Sequence, residues 1–401
     1  MGINVLLFNK IRWDIIRYDE IINSNNNFNI YSVGTKKYNI GVPDIWKNFC
    51  KEYHIVNEIN IEWFTGFIEK LPQLNKIICF AEEDLYLASL LRQVYNVQGF
   101  LPSYIKNFRD KFYMREHISK NCFQIKMPNY VLASEVDLEF SSLQKQLNSE
   151  ILVLKPRYGM SSSNICLLKN NLDFNKVKQE FLQYEKSMWL LEEYIPSKEF
   201  FHVDSIIRNN KINSNCYQYL QPLLDSIGNV LGGCILKGNF ANLLIATNEA
   251  LLKALQVNNT CTHAEYFFHN NELYCCEIGL RIPGSNVVLA SEVATGINQA
   301  QQWLCNELDI EYQKSEQKSE FAGYIDFSTL KKGVITDMKK LEKEFHWVIP
   351  MRKMYKNGDL IHPSGKEFER FSSYIFTANT QEQIVQRLYM LANIKDILTI
   401  S

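Results

Sequence analysis

Lys155 closes an apolar run that begins at Leu152, and a proline and then a turn of small residues, Gly159 to Ser163, follow it in the stretch LVLKPRYGMSSS. A strand can hold the lysine rigidly, and the N–H groups of a glycine–serine turn can be offered to phosphate oxygens. That chemistry suits a polyanion. Alone, the stretch reads more readily as a surface turn between strands; two later segments decide the matter. LLEEYIPSKEFFHVDSIIRNNKI starts at Leu190, and THAEYFFHNNELYCCEIGLRIPGSN starts at Thr262. The second reads as a hairpin with a carboxylate on each arm, Glu265 and Glu277. Strand alternation sets Glu277, Gly279 and Arg281 in one row. An arginine so placed is suited to bidentate phosphate contact and to stabilising charge on a group in transfer.

These side chains need a scaffold, and 401 residues exceed the ~250–300 at which a single core usually stops growing, so two or three domains are expected. The apolar runs INVLLF (3–8), FNIYSV (28–33) and KIICF (76–80) alternate with helical stretches, the pattern of a small α/β unit with parallel strands. No glycine-rich fingerprint follows the first run, which argues against a dinucleotide site there. Leu85, Ala88, Leu91 and Val94 mark a helix with Glu82 and Glu83 in its first turn. Further helices are expected over 109–121 and 173–186, a hairpin over 151–168, and an extended run from Trp189 to Ile207. KSEQKSE, after residue 310, is linker-like, and GVITDM, HWVIPMRKMY and SSYIFTA alternate as strands around the turn at Lys356 to Asp359.

Composition narrows the partners. Lysine and arginine total 43 against 44 aspartates and glutamates, a net charge of −1 with no like-charge block, which excludes the footprint of a nucleic-acid or anionic-membrane binder. The ten cysteines lack CxxC pairing and several fall in apolar runs, as reduced core residues do. The first apolar run is too short for a secretory signal, and nowhere do ~18 apolar residues run together. A cytoplasmic protein with small-molecule partners, no nucleic acid and no membrane is expected.

Five motifs occur in order: DK (Asp110, Lys111), KPxxGxSS (Lys155 to Ser162), EEYIxxxExxxVD (Glu192 to Asp204), HAE (His263 to Glu265) and ExxxR (Glu277 to Arg281). Over roughly residues 75 to 375 the chain resembles the ATP-grasp superfamily, and most of all its carboxylate–amine ligase branch, related to the L-amino-acid ligases and biotin carboxylase. The resemblance implies an α/β (α+β) fold: an N-terminal Rossmann-like domain (1–108), a small lid subdomain (109–190), a large subdomain with the metal hairpin (191–310) and a β-rich C-terminal module packed on that core (311–401). It implies ATP and Mg2+, with Mn2+ as a substitute. Lys111, Lys155, Gly159, Ser161 and Ser162 would meet phosphates; Glu192, Glu193 and Ile195 would present backbone to adenine; Glu199 would take the ribose with help from His202. Arg281 and Lys155 would be the catalytic cations. His263, Lys237, Gly284 and Ser285 are candidates for the substrate pocket.

Magnesium binds through one or two carboxylates plus phosphates, so Glu265 and Glu277 must share a face. A two-residue turn at Asn270-Asn271 would pair Glu265 with Cys276 and send Glu277 to the other side; the chemistry demands a wider loop or a bulge. Many family members carry asparagine two residues after the second glutamate, where this chain has Gly279, which leaves the number of metal ions open. The implied reaction activates a carboxylate as an acyl phosphate and joins it to an amine, in an enzyme that can be a homodimer. The alternatives are a carboxylase-type enzyme and an ATP-binding module without turnover.

Overall fold

The computed structural model describes residues 2–24, 27–159, 164–182, 185–226, 230–351, 355–363 and 369–401. Strands β1 (Ile3–Phe8), β2 (Phe28–Thr35), β3 (Glu52–Val56) and β4 (Lys76–Cys79) form a parallel sheet in the order β3-β2-β1-β4. A parallel sheet is covered on both faces, so its strands read as continuous apolar runs. Leu6 and Phe8 pack on one side with the helix Leu85–Tyr95, and Val5 and Leu7 on the other with Trp303 and Leu304 of the helix Gln299–Leu308. The second helix therefore belongs to the core of two units at once.

The segment expected as the lid forms an antiparallel sheet of β5 (Tyr130–Leu132), β6 (Leu152–Pro156), β7 (Cys166–Leu168) and β8 (Trp189–Glu193), in the order β5-β8-β6-β7. Leu152, Leu154 and Leu191 face a separate core made with Phe140, Leu143 and Phe174. Alternation then turns Val153, Lys155 and Glu192 to the opposite face. Strand β8 runs to Glu193, so the lid ends past the boundary expected at 190.

The largest sheet contains β9 (Glu199–Arg208), β10 (Lys211–Tyr219), β11 (Val230–Leu236), β12 (Thr260–His269), β13 (Glu272–Gly279) and β14 (Phe321–Thr329). With them run β16 (Val348–Pro350) and β18 (Glu369–Ala378), in the order β13-β12-β9-β10-β11-β14-β18-β16. Strands β15 (Gly333–Met338), β17 (Leu360–Ile361) and β19 (Leu398–Ile400) form a small sheet beside it. β14 of the C-terminal segment is hydrogen-bonded to β11, so strands on both sides of the expected boundary at 311 share one sheet. One face, with Phe201, Val203, Ala264, Tyr266, Cys275 and Ile278, is covered by the helix Asn239–Ala254 and by helices Pro102–Arg109 and Lys111–Asn121. The other carries His202, Asp204, Tyr217, Tyr219, His263, Glu265 and Glu277, which pair across neighbouring strands.

Candidate active site

The two hairpin glutamates meet by a route the sequence presented as a conflict. Asn270 and Asn271 do form a two-residue turn, with φ of 51° and 61°, and His269 pairs with Glu272. Left uninterrupted, that register would set Cys276 opposite Glu265. A β-bulge between Glu265 and Tyr266 in the pairing absorbs one residue of β13, and Glu265 stands opposite Glu277. Cys275 and Ile278, three positions apart, both face the core, as two residues opposing one require. The tight turn and the bulge coexist.

Glu265 is buried, accepts a hydrogen bond from the Tyr219 hydroxyl at 2.9 Å and lies 3.2 Å from His263 Nε2. Burial alone lifts its carboxyl; the hydrogen bond and charge of His263, with Arg281 and Tyr219, outweigh that and hold it below the usual carboxylate range. His263 Nδ1 lies 2.6 Å from Asp204 Oδ1, and His202 Nδ1 lies 2.9 Å from Asp204 Oδ2. The ligand atoms of these three residues lie within 4.8 Å of one another, and hydrogen bonds through the aspartate account for the grouping. His202, expected near the ribose, is instead fully buried and stacked on Tyr217 at 4.8 Å. His263, expected in the substrate pocket, is buried between Asp204 and Glu265. His263 thus touches the glutamate directly, and His202 reaches it only through Asp204 and His263.

Arg281 reaches the same region, held by Glu82: its Nε donates to Oε2 at 2.7 Å, and Arg109 donates to Oε1 at 2.5 Å. Burial raises the Glu82 carboxyl, but Arg281 and Arg109 overcome it and keep the group ionised. A Cβ on Gly279 would stand 3.5 Å from Glu82 Oε2 and 3.4 Å from Arg281 Cγ, ordinary contact distances. Glu82 did not stand out in the sequence beyond its place in a helix turn. The available signal was its position just after a parallel strand, where open α/β sheets place their binding residues.

On the lid, Lys155 pairs with Glu192, which also accepts from Arg115 Nε at 3.0 Å. Burial pushes the Glu192 carboxyl up, and the two cations pull it below its ordinary range. Arg115 is the second residue the sequence did not single out; it sits one helical turn after Lys111. Asp110 caps that helix, accepting from the Phe112 N–H at 3.1 Å, and grips Arg157 of the lid through both carboxylate oxygens. A good N-cap contributes about 1 kcal/mol. Lys111 Nζ, at the helix start, lies 3.2 Å from the Gly159 carbonyl and 3.3 Å from Glu277 Oε1. Ser161 and Ser162 lie outside the described residues. In the connecting segment, the Glu193 N–H donates to Asn129 and the Tyr194 N–H to Ile151, whereas the Ile195 N–H has no partner among the described residues.

Three expected positions are not brought into this group. Glu199 stands opposite Phe268 and, by alternation, shares the face of Phe201 and Val203 rather than that of Glu265. Lys237 follows β11, three strand spacings or ~14 Å from β12; its ammonium lies 3.9 Å from Glu320 and over the Phe321 ring. The hydroxyl of Ser285 is engaged by Asp326, which also accepts from Asn286 at 3.1 Å and Ser373 at 2.6 Å. Gly284 beside it opens to free space, since a Cβ there would meet nothing within 4 Å.

No protein-family model and no curated protein matches the chain. Solved structures do. An L-amino acid ligase from Bacillus licheniformis superposes with a TM-score of 0.72 at 15% identity, over 100% of this chain and 98% of that one. N5-carboxyaminoimidazole ribonucleotide synthetase from Thermotoga maritima gives 0.69 at 14%, over 100% and 99%. The biotin carboxylase domain of the Hydrogenobacter thermophilus 2-oxoglutarate carboxylase, in complex with MgADP, ADP and bicarbonate, gives 0.68 at 14%, over 100% and 91%. With parallel N-terminal sheet, lid and carboxylate-bearing hairpin all in place along its whole length, the chain has the ATP-grasp fold.

Proposed function

We propose that the chain is an ATP-dependent ligase that activates a small carboxylic acid and joins it to an amine, an amino acid being the favoured substrate class. The observation that carries this reading is the pairing of Glu265 with Glu277 on one face, with Lys111 against Glu277 and Arg281 anchored alongside by Glu82. The superposed ligase, synthetase and carboxylase support the same class.

Two carboxylates on facing strands are a donor set that fits Mg2+ or Mn2+. Such an ion would be held by Glu265 and Glu277 and would supply neutralisation of triphosphate charge. Lys155 would meet the phosphates from the four-stranded sheet and Lys111 from the start of its helix beside Glu277, and the Ile195 N–H would read the adenine edge. A substrate carboxylate oxygen bonds to the γ-phosphorus as the bridging bond to ADP breaks. The amine nitrogen then bonds to the acyl carbon, the carbon–oxygen bond to phosphate breaks, and the amine loses a proton. Arg281 stabilises charge on the group in transfer, and the remaining work is alignment.

The purified protein, given Mg2+, ATP and a pool of amino acids, is expected to release ADP and phosphate. Glu277→Gln should abolish the release while leaving the circular dichroism spectrum unchanged. Turnover indifferent to added carboxylates would overturn ligation.

A further inference from the structure

We infer that Arg115 is a positioning residue that ties the grip on the nucleotide to the carboxylate hairpin, with one guanidinium holding both Glu192 and the bulge in β13. The inference rests on the nucleotide and metal reading of the site given above. Arg115 is fully buried. Its Nε donates to Glu192 Oε1 at 3.0 Å, and its Nη2 donates to the carbonyl of Cys276 at 2.8 Å. Lys155 occupies the other oxygen of Glu192. An unbroken path therefore runs from a lid lysine, through one carboxylate and one guanidinium, to the backbone of the residue before Glu277.

Cys276 is the residue the register leaves without an opposite number, and a bulge strands just such a backbone group outside the ladder. A buried carbonyl without a donor is costly. Arg115 supplies the donor here and nowhere else along β13, which fixes where the extra residue sits. The same helix reinforces the choice on either side. Lys111 meets Glu277, and Met114 Sδ accepts from the Ile278 N–H at 3.5 Å. Three consecutive residues of the hairpin are thus met by one helix face. Without the guanidinium, the regular ladder competes: Glu265 then faces Cys276, and Glu277 turns away from it. The path also works in reverse, because a shift of Glu192 on nucleotide binding is passed to the bulge carbonyl.

The test compares Glu192→Gln with the double variant Arg115→Met/Glu192→Gln; both leave Lys155 without its carboxylate partner, so the difference between them reads Arg115 alone. Mn2+ is titrated into the ADP-saturated protein and followed by electron paramagnetic resonance, with amide exchange over residues 274–279 read alongside. Glu192→Gln keeps the contact of Arg115 to Cys276, so the double variant should bind Mn2+ at least ~10-fold more weakly than Glu192→Gln, with faster exchange at the bulge. Unchanged Mn2+ affinity and unchanged exchange in the double variant would overturn the role of Arg115. If the unmutated protein takes up no Mn2+, the site reading fails, and exchange at the bulge alone then decides the case for Arg115.

Discussion

Glu82 is the residue whose removal most directly tests how the site is held. Its carboxylate is 4% exposed and is shared by two guanidinium groups, Arg281 with 28% of its side chain exposed and Arg109 with 13%. A hydrogen bond to a charged group is worth ~1.5–3 kcal/mol when its partner is buried. Arg281 is open enough to water that its share is discounted, so Glu82→Gln, which keeps one acceptor, should cost ~2 kcal/mol. The larger effect is on rate. Arg281 freed to move by ~1 Å loses the alignment on which transfer depends, a loss of ~100-fold in kcat, while KM for ATP stays within ~3-fold because the lid contacts are untouched. The assay is steady-state ADP release under Mg2+, repeated for Arg281→Lys and for the double variant. Residues acting as one unit are non-additive, so the double variant should be little worse than Arg281→Lys alone. The sign of the pH effect is also set. The Glu82 carboxyl is lowered by folding, so its stabilisation is present above the unfolded carboxyl range and is lost as pH falls through the folded value; the variant should lose that part of the acid sensitivity. Full additivity, or an unchanged kcat in Glu82→Gln, would refute the reasoning.

Tyr219→Phe removes one of the groups that keep Glu265 ionised. The Glu265 carboxyl then rises, and the acid limb of the kcat/KM profile should move to higher pH; a limb that stays in place would remove Tyr219 from the site. The ten cysteines are all free, and only Cys166 and Cys276 are not fully buried. A thiol reagent should therefore modify at most two under native conditions and all ten in denaturant, and rapid modification of more than two would contradict the packing of the sheets.

Periodicity was enough to read the parallel N-terminal strands, the 151–168 hairpin and the helix from Leu85, because local pattern and tertiary burial agree there. The hairpin was harder. Asn-Asn chemistry argued for a tight turn and the carboxylates argued for a shared face, and only the partner strand reconciles them, since β9 fixes β12 while β13 is free to bulge. Glu199 stands apart from that pair. Its spacing from Ile195 suggested a ligand, but its place on β9 alternates it away from Glu265. Glu82 and Arg115 owe their roles to partners 199 and 161 positions along the chain, and no local pattern carries that. The C-terminal strands read correctly as strands, yet their joining to β11 is a pairing across the whole large domain.

The helix Gln299–Leu308 has a mechanical consequence. Trp303 rests edge-on against Phe80 at 4.9 Å, and Leu304 and Leu308 sit in the same apolar cluster as Val5, Leu7 and Ile78. The N-terminal sheet and the eight-stranded sheet are thereby welded into one frame, because separating them would expose that cluster to water. Among the described residues the strands of the four-stranded antiparallel sheet pack on an apolar core of their own, and ion pairs of Arg115 with Glu192 and of Asp110 with Arg157 tie them to the frame. The four-stranded sheet is thus held to the frame by charges and by the two chain crossings near residues 121–129 and 194–198 rather than by shared apolar burial.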